Sequence, residues 1–185
     1  MIPKRSIYLG NYRELEIRTA PSTIITAILS VGAIFLLLNK VFKWRPWTAV
    51  TGGILATTLH YLSDLWHQLG HARAAEQTGY PMKGMTFVGL LCFSVYPQNE
   101  GLLPAEMHIQ RALGGPIFSL LLTLLVGLAA LLTRFIGGLP LFLAVFTFLD
   151  NLLVFTIGAL LPLGFTDGST LLTWWGQRNS GHLFL

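Results

Sequence analysis

Four long apolar segments run along the chain, and short groups of polar residues separate them. The segments cover about residues 23–42, 48–75, 112–135 and 139–161. Each is long enough to cross the roughly 30 Å hydrocarbon layer of a bilayer as a helix that rises about 1.5 Å per residue. The pattern therefore predicts an all-α integral membrane protein with four transmembrane helices.

Shorter stretches predict three further elements. Residues 1–22 place basic residues among polar and aromatic neighbours, which predicts an amphipathic N-terminal segment before a single membrane domain at 23–185. The apolar run within 84–96 is too short to span and is rich in Phe, Val and Tyr, so we expect a small strand pair or a re-entrant segment at the membrane edge. Residues 169–177 contain two adjacent tryptophans and predict a short interfacial helix.

The composition agrees with a membrane protein. Apolar residues make up 53% of the 185 positions and charged residues only 11%, against roughly a quarter charged in a soluble domain. A conventional water-soluble globule is therefore excluded. The formal net charge is +4, but the basic residues are scattered between apolar blocks and form no stripe that could follow a phosphate backbone. We therefore expect no nucleic-acid partner.

The distribution of Lys and Arg predicts the orientation of the chain. Eight of the twelve basic residues belong to the two termini and the connection between the second and third segments, and four belong to the other connections. Basic residues are more frequent on the cytoplasmic side of a membrane. We therefore expect a multi-pass protein of a prokaryotic cytoplasmic membrane, with both termini in the cytoplasm.

The second apolar segment differs from the others because its second half is polar. It carries His60, Asp64, His67, Gln68 and His71. Ionisable groups at membrane depth are costly and mark functional sites more often than elsewhere. On a helix, His67 and His71 are one turn apart and reach one ion from the same face.

A third candidate ligand follows the fourth apolar segment. Asp167 stands in a stretch where proline and glycine let the chain leave helical geometry while it lines a cavity. Two histidines and a carboxylate with one open position form the ligand set of a catalytic zinc. The sequence therefore predicts one zinc ion bound by His67, His71 and Asp167. The alternative is a pair of packed or interfacial histidines without a metal.

Three motifs appear in the order found in a known family. They are HQLGH at 67–71, GGP at 114–116 and LLPLGFTDG at 160–168. In this respect the chain resembles the site-2 proteases, which are intramembrane zinc metalloproteases. The resemblance implies a three-helix core in the second to fourth segments, a small β-rich segment at 84–96 and zinc as the cofactor. It also implies a minimal member of the family, with a transmembrane helix as substrate.

The chain departs from the family pattern at three positions. The resemblance expects Glu after the first histidine, where this chain has Gln68, and an amide cannot accept a proton from water. It assigns Gly115, Pro116 and Ser119 to the substrate groove, but expects Asn in place of Ser119 and of Ala159. Three departures favour a natural pseudoprotease over an engineered knockout, in which the Glu alone would be changed.

Two other residues on the polar stripe have open interpretations. Asp64 either orients His67 or His60 from behind or forms a hydrogen bond between spans. His60 is either structural or an axial ligand of a tetrapyrrole metal.

The competing function class is a non-catalytic subunit. In that case, the same scaffold serves as a structural, pigment-binding or lipid-binding subunit of a larger membrane complex. The expected partners are membrane lipids, a transmembrane helix that is either substrate or partner, and the other subunits. Close packing of small residues on the first and fourth segments would support such docking.

Overall fold

Each apolar segment forms a helix in the structure, a computed structural model that describes residues 6–178. Most helix ends lie within three residues of the predicted segments, but the third helix begins at Ala105, seven residues before the predicted 112, and a fifth, short helix lies in the predicted interfacial region. Two of them continue into a wider, π-helical stretch. The helices are α1 (Pro21–Leu36, continued by Leu37–Val41), α2 (Pro46–Gln77), α3 (Ala105–Thr133), α4 (Gly138–Asp150, continued by Asn151–Gly158) and α5 (Asp167–Trp175).

Three of these helices are long and apolar enough to cross a membrane. They are Pro21–Val41, Ala105–Thr133 and Gly138–Gly158, among the residues that the structure describes. Helix α2 has 32 residues and ample length, but its composition is less apolar. The reason is that α2 is the central helix, and its buried positions include histidine, aspartate and glutamine side chains that face protein instead of lipid.

Two β-hairpins form a four-stranded sheet. The strands are β1 (Ile7–Tyr12), β2 (Leu15–Thr19), β3 (Gly84–Val88) and β4 (Leu91–Val95), in the order β1-β2-β3-β4. Strands β1 and β2 are antiparallel, as are β3 and β4, and β2 pairs with β3 in parallel. The strand pair expected within 84–96 is thus present.

The N-terminal segment, expected to be amphipathic, contains a β-hairpin that the sequence analysis did not predict. Residues 7–19 form the β1–β2 hairpin, whose turn places Arg13 in the left-handed backbone region at φ 53°. Residues 15–19 alternate apolar and polar side chains with the period of two that is typical of a strand, a signal that the amphipathic interpretation overlooked. Residues 1–5 of the predicted segment lie outside the described residues. The fold is therefore mostly helical with a small sheet, not all-α.

The sheet packs against the second half of α2. Leu15, Met85, Phe87 and Cys92 face α2 and form one buried cluster with its small residues at 72 and 75. Burial of these side chains holds both hairpins at one end of the central helix. The sheet therefore lies beside the part of α2 that carries the polar residues.

Helices α2 and α3 cross at two glycines. A Cβ atom built at Gly70 would contact the carbonyl of Gly114 and the Cβ of Phe118, and one built at Gly114 would contact the carbonyl of Gly70 and the side chain of Ala74. The two backbones are therefore in direct contact, which only glycine permits at these positions. This close crossing brings the histidines of α2 beside the GGP motif of α3.

We expect Gly114→Ala to destabilise the protein by about 1–3 kcal/mol, because the added methyl group must separate α2 from α3. Gly32→Ala on α1 is the matched control, since a Cβ there meets no atom within 4 Å. The free energy of unfolding of each variant can be measured by denaturant titration in detergent. Equal losses in the two variants would contradict the proposed crossing.

Candidate metal centre

Two of the three candidate ligands lie on α2 and the third begins α5. His67 and His71 are one helical turn apart, and each has 5% of its surface exposed. Asp167 is the first residue of α5, after a non-helical stretch in which the Thr166 hydroxyl accepts a hydrogen bond from the Leu163 N–H at 3.2 Å. The ring of Trp174 stacks on His108 of α3 at 4.1 Å and helps to hold α5 in place.

The three side chains converge on one point. The Nε2 atoms of His67 and His71 are 3.0 Å apart. Each Nε2 atom is 3.3 Å from a different carboxylate oxygen of Asp167. One ligand atom from each residue lies within 4.8 Å of the others. The structure therefore brings together the three ligands that the sequence predicts.

These separations suit a tetrahedral cation. Ligand atoms that each lie about 2.0–2.1 Å from one zinc ion, at tetrahedral angles, are about 3.3 Å from one another. The two nitrogens are 3.0 Å apart, and each is 3.3 Å from a different oxygen of the Asp167 carboxylate. The donor set thus fits zinc in chemistry, and the spacing of its atoms is close to what one ion requires.

The second nitrogen of each imidazole supports the same interpretation. His71 Nδ1 lies 2.8 Å from the carbonyl oxygen of Arg111, which can only accept, so Nδ1 carries the proton and Nε2 carries a lone pair. His67 Nδ1 is 2.9 Å from the Ser119 hydroxyl. A hydroxyl both donates and accepts, so a His67 proton on Nδ1 is compatible with this contact, and in that tautomer the two Nε2 lone pairs, 3.0 Å apart, would repel each other unless a cation lay between them. The arrangement is typical of imidazoles oriented toward a metal.

Gly115 leaves room for the ligand atoms. A Cβ atom built at this residue would contact the Nε2 atoms of both His67 and His71. Pro116 follows within α3 and is also buried. Gly115 thus lines the candidate metal centre, whereas Ser119, which the resemblance assigns to substrate binding, contacts His67 itself.

Gln68 contacts the sheet. Its Nε2 donates a hydrogen bond to the carbonyl oxygen of Cys92 at 2.8 Å, and its Oε1 accepts one from the Ser94 hydroxyl at 2.7 Å. Both ends of the amide are therefore engaged by β4, and the side chain is 4% exposed.

His60 connects α2 to α4 and to the turn between β3 and β4. Its Nδ1 lies 3.1 Å from both carboxylate oxygens of Asp150, and its Nε2 is 2.8 Å from the carbonyl oxygen of Leu90. Because both ring nitrogens have partners within the protein, these contacts favour the structural interpretation of His60 over that of a tetrapyrrole ligand.

Asp64 is not among the hydrogen-bond partners of His67 or His60 in the part of the chain that the structure describes. The hydrogen-bond partners of His67 are Ser119 and the other candidate ligands, and those of His60 are Asp150 and a backbone carbonyl. One carboxylate oxygen of the buried Asp64 has no hydrogen-bond partner among the described residues. The spacing along the helix predicted a shared face correctly, but not a contact.

Arg111 is a functional residue that the sequence analysis missed. Its buried guanidinium binds both carboxylate oxygens of Glu100, at 2.6 and 3.0 Å, and lies 4.3 Å from the ring centre of Tyr96. These hydrogen bonds lower the pKa of Glu100, and burial raises the pKa of Tyr96 to about 12. The same residue holds His71 through its carbonyl oxygen. Arg111 therefore ties the segment after β4 to the candidate metal centre.

Comparison with known proteins supports the fold. The site-2 protease from Methanocaldococcus jannaschii superposes with a TM-score of 0.63, over 96% of this chain and 74% of that chain, at 16% sequence identity. The chain has a site-2-protease-like fold. No protein-family model matches the sequence, and no curated protein sequence matches it either. At this identity the likeness concerns the fold alone, so function must be argued from the site.

We expect Gly115→Ala to weaken zinc binding by about 10- to 100-fold, because the methyl group would lie against both imidazole Nε2 atoms. Competition with a chromophoric chelator in detergent measures the affinity. Gly32→Ala is the control and should bind zinc like the parent protein. Unchanged affinity in a folded Gly115→Ala protein would contradict the proposed ligand positions.

Proposed function

We propose that the chain is a multi-pass membrane protein that binds one zinc ion through His67, His71 and Asp167 and lacks peptidase activity. The observation that carries the zinc proposal is the convergence of two buried imidazole nitrogens and the Asp167 carboxylate on one point. The site-2-protease-like fold supports it independently. We infer that the protein is a natural pseudoprotease of the site-2-protease type.

When bound, zinc supplies a Lewis acid that can polarise a carbonyl oxygen. The residues of the chain contribute the geometry. The Arg111 carbonyl fixes the proton on His71 Nδ1, the Ser119 hydroxyl orients His67, and Gly115 keeps the ligand face clear of side chains. All of these contacts suit the retention of a metal centre.

The chain has Gln68 where a metalloprotease of this type needs a residue that accepts and transfers a proton. An amide has no basic site for a proton at neutral pH, and general base catalysis contributes about 10²- to 10⁴-fold to such reactions. In addition, the Gln68 amide is held by β4 at both ends. Binding of a transmembrane helix, as a partner and not as a substrate, is the role that remains for the scaffold.

A test of this proposal compares the parent protein with Gln68→Glu in liposomes that contain single-pass transmembrane peptides. We expect no cleavage by the parent protein and at most weak cleavage by Gln68→Glu, because positions 119 and 159 also depart from the family pattern. The archaeal site-2 protease is the positive control, and zinc content is measured in parallel.

Each result of that comparison has a distinct meaning. Cleavage by the parent protein would contradict the assignment as a pseudoprotease. Robust cleavage by Gln68→Glu, abolished when His67→Ala is added, would show that Gln68 alone silences the enzyme and would contradict the natural loss of function. Absence of zinc from both proteins would contradict the metal site.

We also propose that α2 crosses the membrane, so that the chain has four spans and a cytoplasmic N-terminus. The test uses Asn11→Cys and Ile136→Cys in a Cys92→Ser background, with a thiol reagent that does not cross membranes. Three crossings separate the two positions if α2 spans, so they should be labelled from opposite sides. If α2 does not span, only two crossings separate them, and labelling from the same side would contradict the proposal.

A further inference from the structure

Strand β4 is an edge of the sheet. Among residues 6–178, the order β1-β2-β3-β4 leaves one side of β4 without a neighbouring strand. In the antiparallel β3–β4 hairpin, Val88 pairs with Leu91 next to the two-residue turn, and Phe87 pairs with Cys92. Hydrogen-bonded and non-hydrogen-bonded pairs alternate along such a hairpin, so the backbone N–H and C=O of Cys92 point away from β3. An edge with free groups of this kind is a template for pairing with another extended chain.

The Gln68 side chain of α2 forms a hydrogen bond with the outward-pointing carbonyl oxygen of Cys92. Gln68 Nε2 donates to the Cys92 carbonyl oxygen at 2.8 Å, and the Ser94 hydroxyl donates to Gln68 Oε1 at 2.7 Å. A carbonyl oxygen only accepts, which fixes the orientation of the amide. With 4% of its surface exposed, Gln68 is shielded from competing water.

A second side chain of α2 faces the donor of the same residue. Asp64 lies one turn before Gln68 and is 2% exposed, with its carboxylate near the Cys92 N–H. An acceptor thus faces the N–H of Cys92 and a donor faces its C=O. This is the complement that the backbone of an added strand would provide.

The two hydrogen bonds require a side chain at position 68 that both donates and accepts. An amide always does so, whereas an ionised carboxylate has acceptors only and would place negative charge against the Cys92 carbonyl oxygen. Gln68, which stands where the resemblance expects the general-base Glu, is therefore also the residue that binds the edge of β4. Gln68 then has a positive role in this chain besides the absence of Glu.

We propose that Gln68 and Asp64 form a latch that closes the outward edge of β4 at Cys92, so that Gln68 is a positioning residue that prevents an extended polypeptide from pairing with the sheet there. This inference deepens the proposed function, because it makes the closed edge the reason why the scaffold does not accept an unwound substrate strand. It does not depend on zinc.

The single cysteine of the chain reports on the latch. Cys92 is 6% exposed and packs in the cluster between the sheet and α2. Burial also raises the pKa of its thiol well above the ordinary value, so its reactivity is low while β4 is seated. A small disulfide reagent, 4,4′-dithiodipyridine, therefore measures how often β4 leaves α2.

We expect Gln68→Glu and the uncharged Gln68→Met to raise the rate of Cys92 modification by about tenfold or more, since each loses a buried hydrogen bond to the strand. Gln77→Glu is the matched control, because it makes the same chemical change at an exposed position of the same helix, and it should leave the rate unchanged. Ser94→Ala removes only the second hydrogen bond and should give a smaller increase.

Hydrogen exchange locates the opening. In both Gln68 variants, faster exchange should be confined to residues 91–95, with 15–19 and the helices unchanged. Equal modification rates in the parent protein and both folded Gln68 variants would overturn the latch, as would faster exchange throughout the sheet. A Gln68-dependent rate in a protein that binds no zinc would support the latch and overturn the proposed metal function instead.

Discussion

The close crossing of α2 and α3 at Gly70 and Gly114 is the contact on which the rest of the structure depends. Helices in lipid gain little from hydrophobic burial against each other, so they associate through close packing and a few polar contacts. At this crossing the backbone of α2 is in direct contact with the backbone of α3. That approach places Gly115 against the imidazoles and puts the Arg111 carbonyl within hydrogen-bond distance of His71. A larger side chain at the crossing would move α3 away from α2. It would thereby disrupt both the approach of Gly115 to the imidazoles and the hydrogen bond between the Arg111 carbonyl and His71.

The polar interior follows from the same arrangement. Polar groups at membrane depth must find partners within the protein. Helix α2 finds them on every side: Ser63 accepts a hydrogen bond from Asn151 at 2.8 Å, His60 contacts Asp150, and Gln68 binds β4. These contacts explain how a helix with this many polar residues remains the centre of the fold. The residues of this helix face therefore have two different roles. His67 and His71 converge with Asp167, whereas Asp64 and Gln68 contact the sheet.

The sequence predicts the features that depend on local periodicity. The apolar segments become helices, and the spacing of His67 and His71 places both on one face. Asp167 was found through motif order and the chemistry of the ligand set. Features that depend on contacts distant in sequence left no such signal. The parallel pairing of β2 with β3 joins residues more than 60 positions apart, and the Arg111 contact with His71 uses a backbone carbonyl, which any residue type supplies. A shared helix face likewise could not reveal that Asp64 turns to the strand.

The central claim is that His67, His71 and Asp167 bind one zinc ion in the membrane. X-ray absorption at the zinc edge, on parent protein purified in detergent with its metal content determined, tests this claim most directly. The account predicts about one zinc per chain, with only nitrogen and oxygen ligands at about 2.0–2.1 Å and the multiple-scattering pattern of two imidazoles. Protein that binds no stoichiometric zinc after reconstitution, or a first shell containing sulfur or fewer than two imidazoles, would contradict it.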